Sequence, residues 1–188
     1  MATIQNEDLV EPFYDELWEL GRSAQNFNKV ALEKLKIRNI TYKDKRLLFP
    51  LLRKDSMEAF LYALNEIKKN APFGITTSNI LDEINFSYFK QTLLHSAVQQ
   101  NDIVCAKFLL EAGVDIDAQD FLGYTALHHA ANFNNIEMVD LLLQFNPNVN
   151  IKEYNPLYRE SEHQRAVDMA KNVEIIEKLQ NHQWLPLY

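Results

Sequence analysis

The stretch Gln91-Thr92-Leu93-Leu94-His95-Ser96-Ala97 is answered downstream by Tyr124-Thr125-Ala126-Leu127-His128-His129-Ala130. Thr92 and Thr125, His95 and His128, and Leu109 and Leu142 are each 33 residues apart. The match extends outward, from Phe108-Leu109-Leu110-Glu111-Ala112-Gly113-Val114-Asp115 to Leu141-Leu142-Leu143-Gln144-Phe145-Asn146-Pro147-Asn148. A self-match of this period marks a repeat architecture. Each unit is too small to bury its apolar face alone, so neighbours stack into one continuous core. Leu94, Leu109, Leu110, Leu127, Leu142 and Leu143 recur at this interval and are the expected core. Ala97, Ala130 and Ala131 are small enough to let helices approach closely.

The first clear unit runs from about Ile84 to Gln119 and the second from Asp120 to Lys152. A degraded third opens at Arg165-Ala166-Val167-Asp168-Met169-Ala170, 40 rather than 33 residues on, so seven extra residues lie within Glu153 to Gln164. Val173, Ile176 and Leu179 are the expected apolar face of its second helix, with Trp184, Leu185 and Leu187 folding back over it. Upstream, Phe13, Leu17 and Leu20 follow the spacing of an amphipathic helix that stops near Gly21. Leu32 and Leu35 suit a second helix ending near Asn39. Two apolar stripes, Leu48-Leu51-Leu52 and Met57-Phe60-Leu61-Leu64, flank Asp55-Ser56 and predict a helix pair that caps the first clear unit. Residues 65–84, with Ala71-Pro72-Phe73-Gly74, read as a long connection, either an insertion or a binding loop. The expected organisation is a helical extension over 1–45, a degenerate capping repeat with a long loop over 46–83, and repeats with a degenerate C-terminal cap over 84–188.

The formal charge of −7 conceals an asymmetry. Residues 1–33 carry a net −5, residues 34–54 a net +7, and residues 55–188 a net −9. An acidic body argues against general nucleic-acid binding, which needs cations facing phosphates. The basic stretch from Lys34 to Lys54 reads mainly as a solvated face, and it leaves contact with lipid head groups open. No run of apolar residues is long enough for a membrane span, and the acidic start does not resemble a signal peptide. The single cysteine, Cys105, has no internal partner and reads as a core thiol, so a reducing, cytoplasmic setting is expected. With four glycines the chain holds no phosphate-cradling Gly-rich loop, and it lacks zinc-type Cys or His spacings. Catalytic, cofactor-binding and metal-binding residues are therefore all expected to be none, and the chain reads as a monomeric non-enzyme.

The period, with Thr-x-Leu-His-x-Ala opening each unit, resembles the ankyrin repeat. The resemblance implies an all-α solenoid with short β-hairpins: an ankyrin stack of two good and about two degenerate repeats behind an N-terminal helical extension. It implies that Thr92 and Thr125 cap first helices, and that His95 and His128 bond to the neighbouring hairpin backbone rather than act chemically. Gly113 falls where such repeats end the second helix at positive φ; Asn146 takes that place in the next unit. Gly123 sits at a hairpin turn where the first unit has Lys90.

In this architecture hairpin tips and the exposed side of first helices line a concave surface. The matching residues are Tyr88, Phe89, Gln91, Gln99 and Gln100, then Phe121, Leu122, Tyr124, Asn132 and Phe133, with Tyr154, Leu157 and Tyr158 following. Aromatic side chains at solvent-facing positions usually mark contacts. The implied function is recognition of another protein through this face. The alternative is covering of the patch by residues 1–83 within the monomer. The Asn, Lys, Ile, Phe and Tyr content, with little glycine, also resembles compact ankyrin proteins that intracellular bacteria direct into a host. In that reading residues 1–83 bind a membrane or second partner, and the chain acts in a host cytosol.

Overall fold

Thr92 and Thr125 start helices in the same way. Each backbone is extended, and each hydroxyl accepts the amide of the histidine three residues on, at 3.4 Å in both units. The histidine ring returns the favour by accepting the threonine amide, so two orphan donors are satisfied reciprocally. The structure, a computed structural model, describes residues 10–23, 26–84, 90–154 and 163–182. Residues 1–80 and 81–188 form two compact units.

In the first unit, α1 spans Val10–Ser23 and α2 spans Phe27–Lys36. Helix α1 runs through Gly21, which the sequence had as a stop; the helical turn there simply continues. A 3-10 turn over Tyr42–Leu47 leads into α3 (Leu48–Leu51), and a second over Lys54–Ser56 leads into α4 (Met57–Lys69). Leu17, Leu35, Leu47, Leu48, Leu51, Phe60 and Ile67 are buried together here. Ser56 is also buried, its hydroxyl donating to the Leu51 carbonyl at 2.8 Å. The long connection expected over 65–84 is shorter than that. Helix α4 continues to Lys69 and α5 spans Thr77–Asp82, which leaves 70–76 and 83–84 outside helices. Thr76 and Asn79 exchange bonds to start α5.

The second unit repeats a helix pair three times: α6 (Leu93–Gln99) with α7 (Ile103–Glu111), α8 (Ala126–Asn132) with α9 (Ile136–Leu143), and α10 (Ala166–Met169) with α11 (Val173–His182). First helices pack on first helices, α6 on α8 on α10, and second on second, α7 on α9 on α11. Leu94, Leu109, Leu110, Leu127 and Leu142 are buried, as are Ala97, Ala130, Ala131 and Cys105; Leu143 is half-buried. Ile175 and Leu179 are the buried residues of α11, whereas the expected Val173 is 67% exposed at its first turn. Gly113 (φ 80°) and Asn146 (φ 53°) take the expected left-handed conformation after the second helices. Lys152 and Arg165 form an isolated antiparallel bridge, Gln91 also stands in a bridge position, and the tip at Asp120–Tyr124 is a tight turn rather than a ladder. Trp184, Leu185 and Leu187 lie outside the described residues.

Candidate functional site: an aromatic face on the repeat unit

Asp120 organises the tip that carries Phe121 and Leu122. One carboxylate oxygen accepts the amides of Leu122 (2.9 Å) and Tyr124 (3.0 Å), while the backbone closes through Asp120 N–H to the Tyr124 carbonyl. The other oxygen accepts from His129 Nε2 at 3.1 Å. Burial works to raise the Asp120 pKa, but the bonds from His129 and from backbone amides overcome it and hold the carboxyl below its usual range. Gly123 closes the turn at φ 81°. A Cβ there would lie 2.2 Å from the backbone nitrogen of Tyr154, because the next unit's chain runs directly against it and Tyr154 N–H donates to the Leu122 carbonyl.

From this tip an aromatic series runs along α8. The His129 ring lies 5.5 Å from Tyr124, 6.3 Å from Phe133 and 5.6 Å from His95, centroid to centroid. Phe121 and Phe133 are each 55% exposed and Tyr154 is 61% exposed. Gln99, Gln100 and Asn132 are exposed around them; Gln91, Leu122 and Tyr124 are half-buried. Phe133 also borders a shallow groove with Val98, Gln99, Asn134 and Ile136. Tyr88, Phe89, Leu157 and Tyr158 lie outside the described residues. The exposed described members belong to consecutive units and are joined through the hairpin contact at Gly123.

The two motif histidines hold units together. His95 Nε2 donates to the Tyr124 carbonyl at 2.9 Å and His128 Nε2 to the Gln164 carbonyl at 3.3 Å. Burial lowers the pKa of both, that of His128 to about 4. His95, Asp120 and His129 bring ligand-type atoms within 4.8 Å of one another. His95 has no lone pair to give, because the Thr92 amide donates to its Nδ1 and Nε2 therefore carries the proton. Two ligands remain, fewer than zinc sites use.

Sequence reasoning missed a second set of ties. Asn101 and Asn134, 33 residues apart, stand at φ 54° and 52° between first and second helices. The Asn101 side-chain oxygen accepts from Asn135 of the next unit, and that of Asn134 accepts the amides of Lys171 (3.0 Å) and Asn172 (2.9 Å). Their signal was present in the repeat spacing itself. Glu153 stands 33 residues after Asp120 but cannot copy it. It is buried, one oxygen accepts the Gln164 amide, and the other has no partner among the described residues.

A column of helix pairs in which like stacks on like is a helical solenoid of short repeats. The chain belongs to the ankyrin-repeat family: the profile described as "Ankyrin repeats (3 copies)" matches residues 52–153 and, offset, 94–182. It is 33% identical over 123 residues to "Putative ankyrin repeat protein FPV244" of fowlpox virus, covering 65% of this chain and 17% of that one. It is 41% identical over 66 residues to a putative ankyrin repeat protein of Rickettsia felis, covering 34% of this chain and 21% of that one. The chain thus spans about a fifth or less of these relatives' length. Among solved structures, the ankyrin repeat domain of Bcl-3 superposes with a TM-score of 0.56 at 19% identity, over 71% of this chain and 50% of that one. Ankyrin repeats are non-enzymatic scaffolds for protein–protein interaction.

Proposed function

We propose that the repeat unit binds a partner protein through the face formed by Phe121, Tyr124, Phe133 and Tyr154. The observation that carries the reading is the exposure of Phe121 on a tip that hydrogen bonds hold, of Phe133 at the end of α8, and of Tyr154, whose amide donates to that same tip at the Leu122 carbonyl. A pre-ordered aromatic surface loses little entropy on binding, and aromatic anchors supply much of the energy at interfaces. Affinity capture followed by hydrogen exchange on the complex tests this. Protection is expected at 120–124 and 129–133; protection confined to α7, α9 and α11 would show that the partner sits on the opposite side. The similarity to proteins of fowlpox virus and of Rickettsia felis supports a second, finer reading, in which the partner is a host protein. Capture from host-cell extract but not from the source cell's own extract is its expected outcome.

A further inference from the structure

Helices α2 and α4 of the first unit lie side by side and point the same way. At their N-terminal ends Asn28 bonds Glu58 and the Ala59 amide; beyond their C-terminal ends Asn70 donates to the Ile40 carbonyl at 2.9 Å. Both helices therefore deliver the chain that follows them to one end of the unit. At that end Ile37, the C-cap of α2, is 88% exposed, and Phe73, in the turn after α4, is completely exposed. Phe73 is held out by geometry: the Ile75 amide donates to the Pro72 carbonyl across the turn, and Gly74 supplies the positive φ of 89°. Lys68 donates to Thr77 across the loop's base. Lys36, Lys43, Lys68 and Lys69 are all exposed here, Lys69 pairing with Glu66 on its own helix turn. Last-turn lysines complement helix C-terminal dipoles, which explains Lys36, Lys68 and Lys69. It does not explain two large apolar side chains standing in water beside them.

We infer that this end of the first unit docks on an anionic lipid surface, with Ile37 and Phe73 entering the acyl boundary and the lysines facing the head groups. Singly protruding apolar tips with a cationic surround suit a bilayer interface, where anionic lipids attract the lysines and only the tips enter. A protein partner would more often bury a contiguous apolar core within a polar rim. No helix among the described residues is long and apolar enough to cross a membrane, so the contact is peripheral. The inference does not depend on the aromatic face of the repeats.

Vesicle sedimentation of the full chain tests it, using phosphatidylcholine alone and phosphatidylcholine with about 30 mol% phosphatidylserine. Wild-type protein is expected to sediment with the anionic vesicles and not with the neutral ones. Ile37→Ser with Phe73→Ser is expected to weaken that binding about tenfold or more at an unchanged melting temperature, since neither side chain is buried. Lys36→Glu with Lys43→Glu, a second pair on exposed positions, is expected to weaken it as well, as is salt at about 0.5 M. Wild-type protein that ignores the anionic vesicles overturns the inference. So does an Ile37→Ser/Phe73→Ser variant that binds them as wild type, and the same Phe73 tip would then be assigned to an apolar pocket on a protein.

Discussion

His128 concentrates the balance of forces in this fold. Its ring is buried, its Nδ1 accepts the Thr125 amide and its Nε2 reaches the next unit at Gln164. Burial first, and the nearby His129 second, hold its pKa down to about 4, while the Gln164 bond acts the other way. Protonating the ring is therefore harder in the folded than in the unfolded chain. The stability this contributes is complete above the unfolded value near 6.5 and drains as pH falls towards 4, by up to about 3 kcal/mol. The lowered pKa of His95 acts in the same direction. The urea midpoint is expected to fall between pH 7 and pH 4, with the His128 ring titrating well below 6.5 in proton NMR. A ring that titrates near 6.5, with a flat urea midpoint, would show that it is not buried as described. Glu153 shows the cost of imperfect repetition. Where Asp120 has His129 as a mate, the 40-residue spacing puts Met169 in that place, and one Glu153 oxygen is left without a partner among the described residues.

Helices and their joints were unequally legible. Period and motif placed the two clear repeats, because Thr, His and the paired leucines each occupy a position that tolerates little else. The same reading stopped α1 at Gly21 and left α4 short. A glycine permits a helix end without forcing one, and α4 extends because Glu66 and the buried Ile67 continue its pattern. The asparagine ties were hidden for another reason: Asn101 and Asn134 look like ordinary turn residues until the left-handed backbone and the next unit's amides are seen. Asn134→Gly keeps the backbone conformation and removes the tie, and is expected to cost about 1–2 kcal/mol. Asn134→Ala adds the penalty of a left-handed Cβ, about another 1 kcal/mol. Thermal melting of the three proteins should rank wild type above Gly above Ala; equal melting of Gly and wild type would show that the tie contributes nothing.

At the scale of the whole molecule the kind of surface was legible and its exposure was not. Aromatic residues at hairpin and first-helix positions were readable from the repeat register; whether each stood in solvent depended on packing that no spacing encodes. Phe121, Phe133 and Tyr154 stand out, while Tyr124 turns half inward against His128 and His129. The basic stretch was ambiguous for the same reason. Lys34 pairs with Glu16 and Arg38 lies over Phe13, so part of it serves the first unit's own packing. The repeat unit's rigidity and its exposed aromatics make opposite demands on the same substitutions. The most direct measurement is therefore a paired one on Phe121→Ala with Phe133→Ala: its melting temperature, and its affinity for the captured partner by titration calorimetry. Because both side chains are more than half exposed, the melting temperature should stay within a few degrees, while the affinity should fall by about tenfold or more. A double variant that unfolds would make these rings internal packing, and one that binds with unchanged affinity would place the partner on another face.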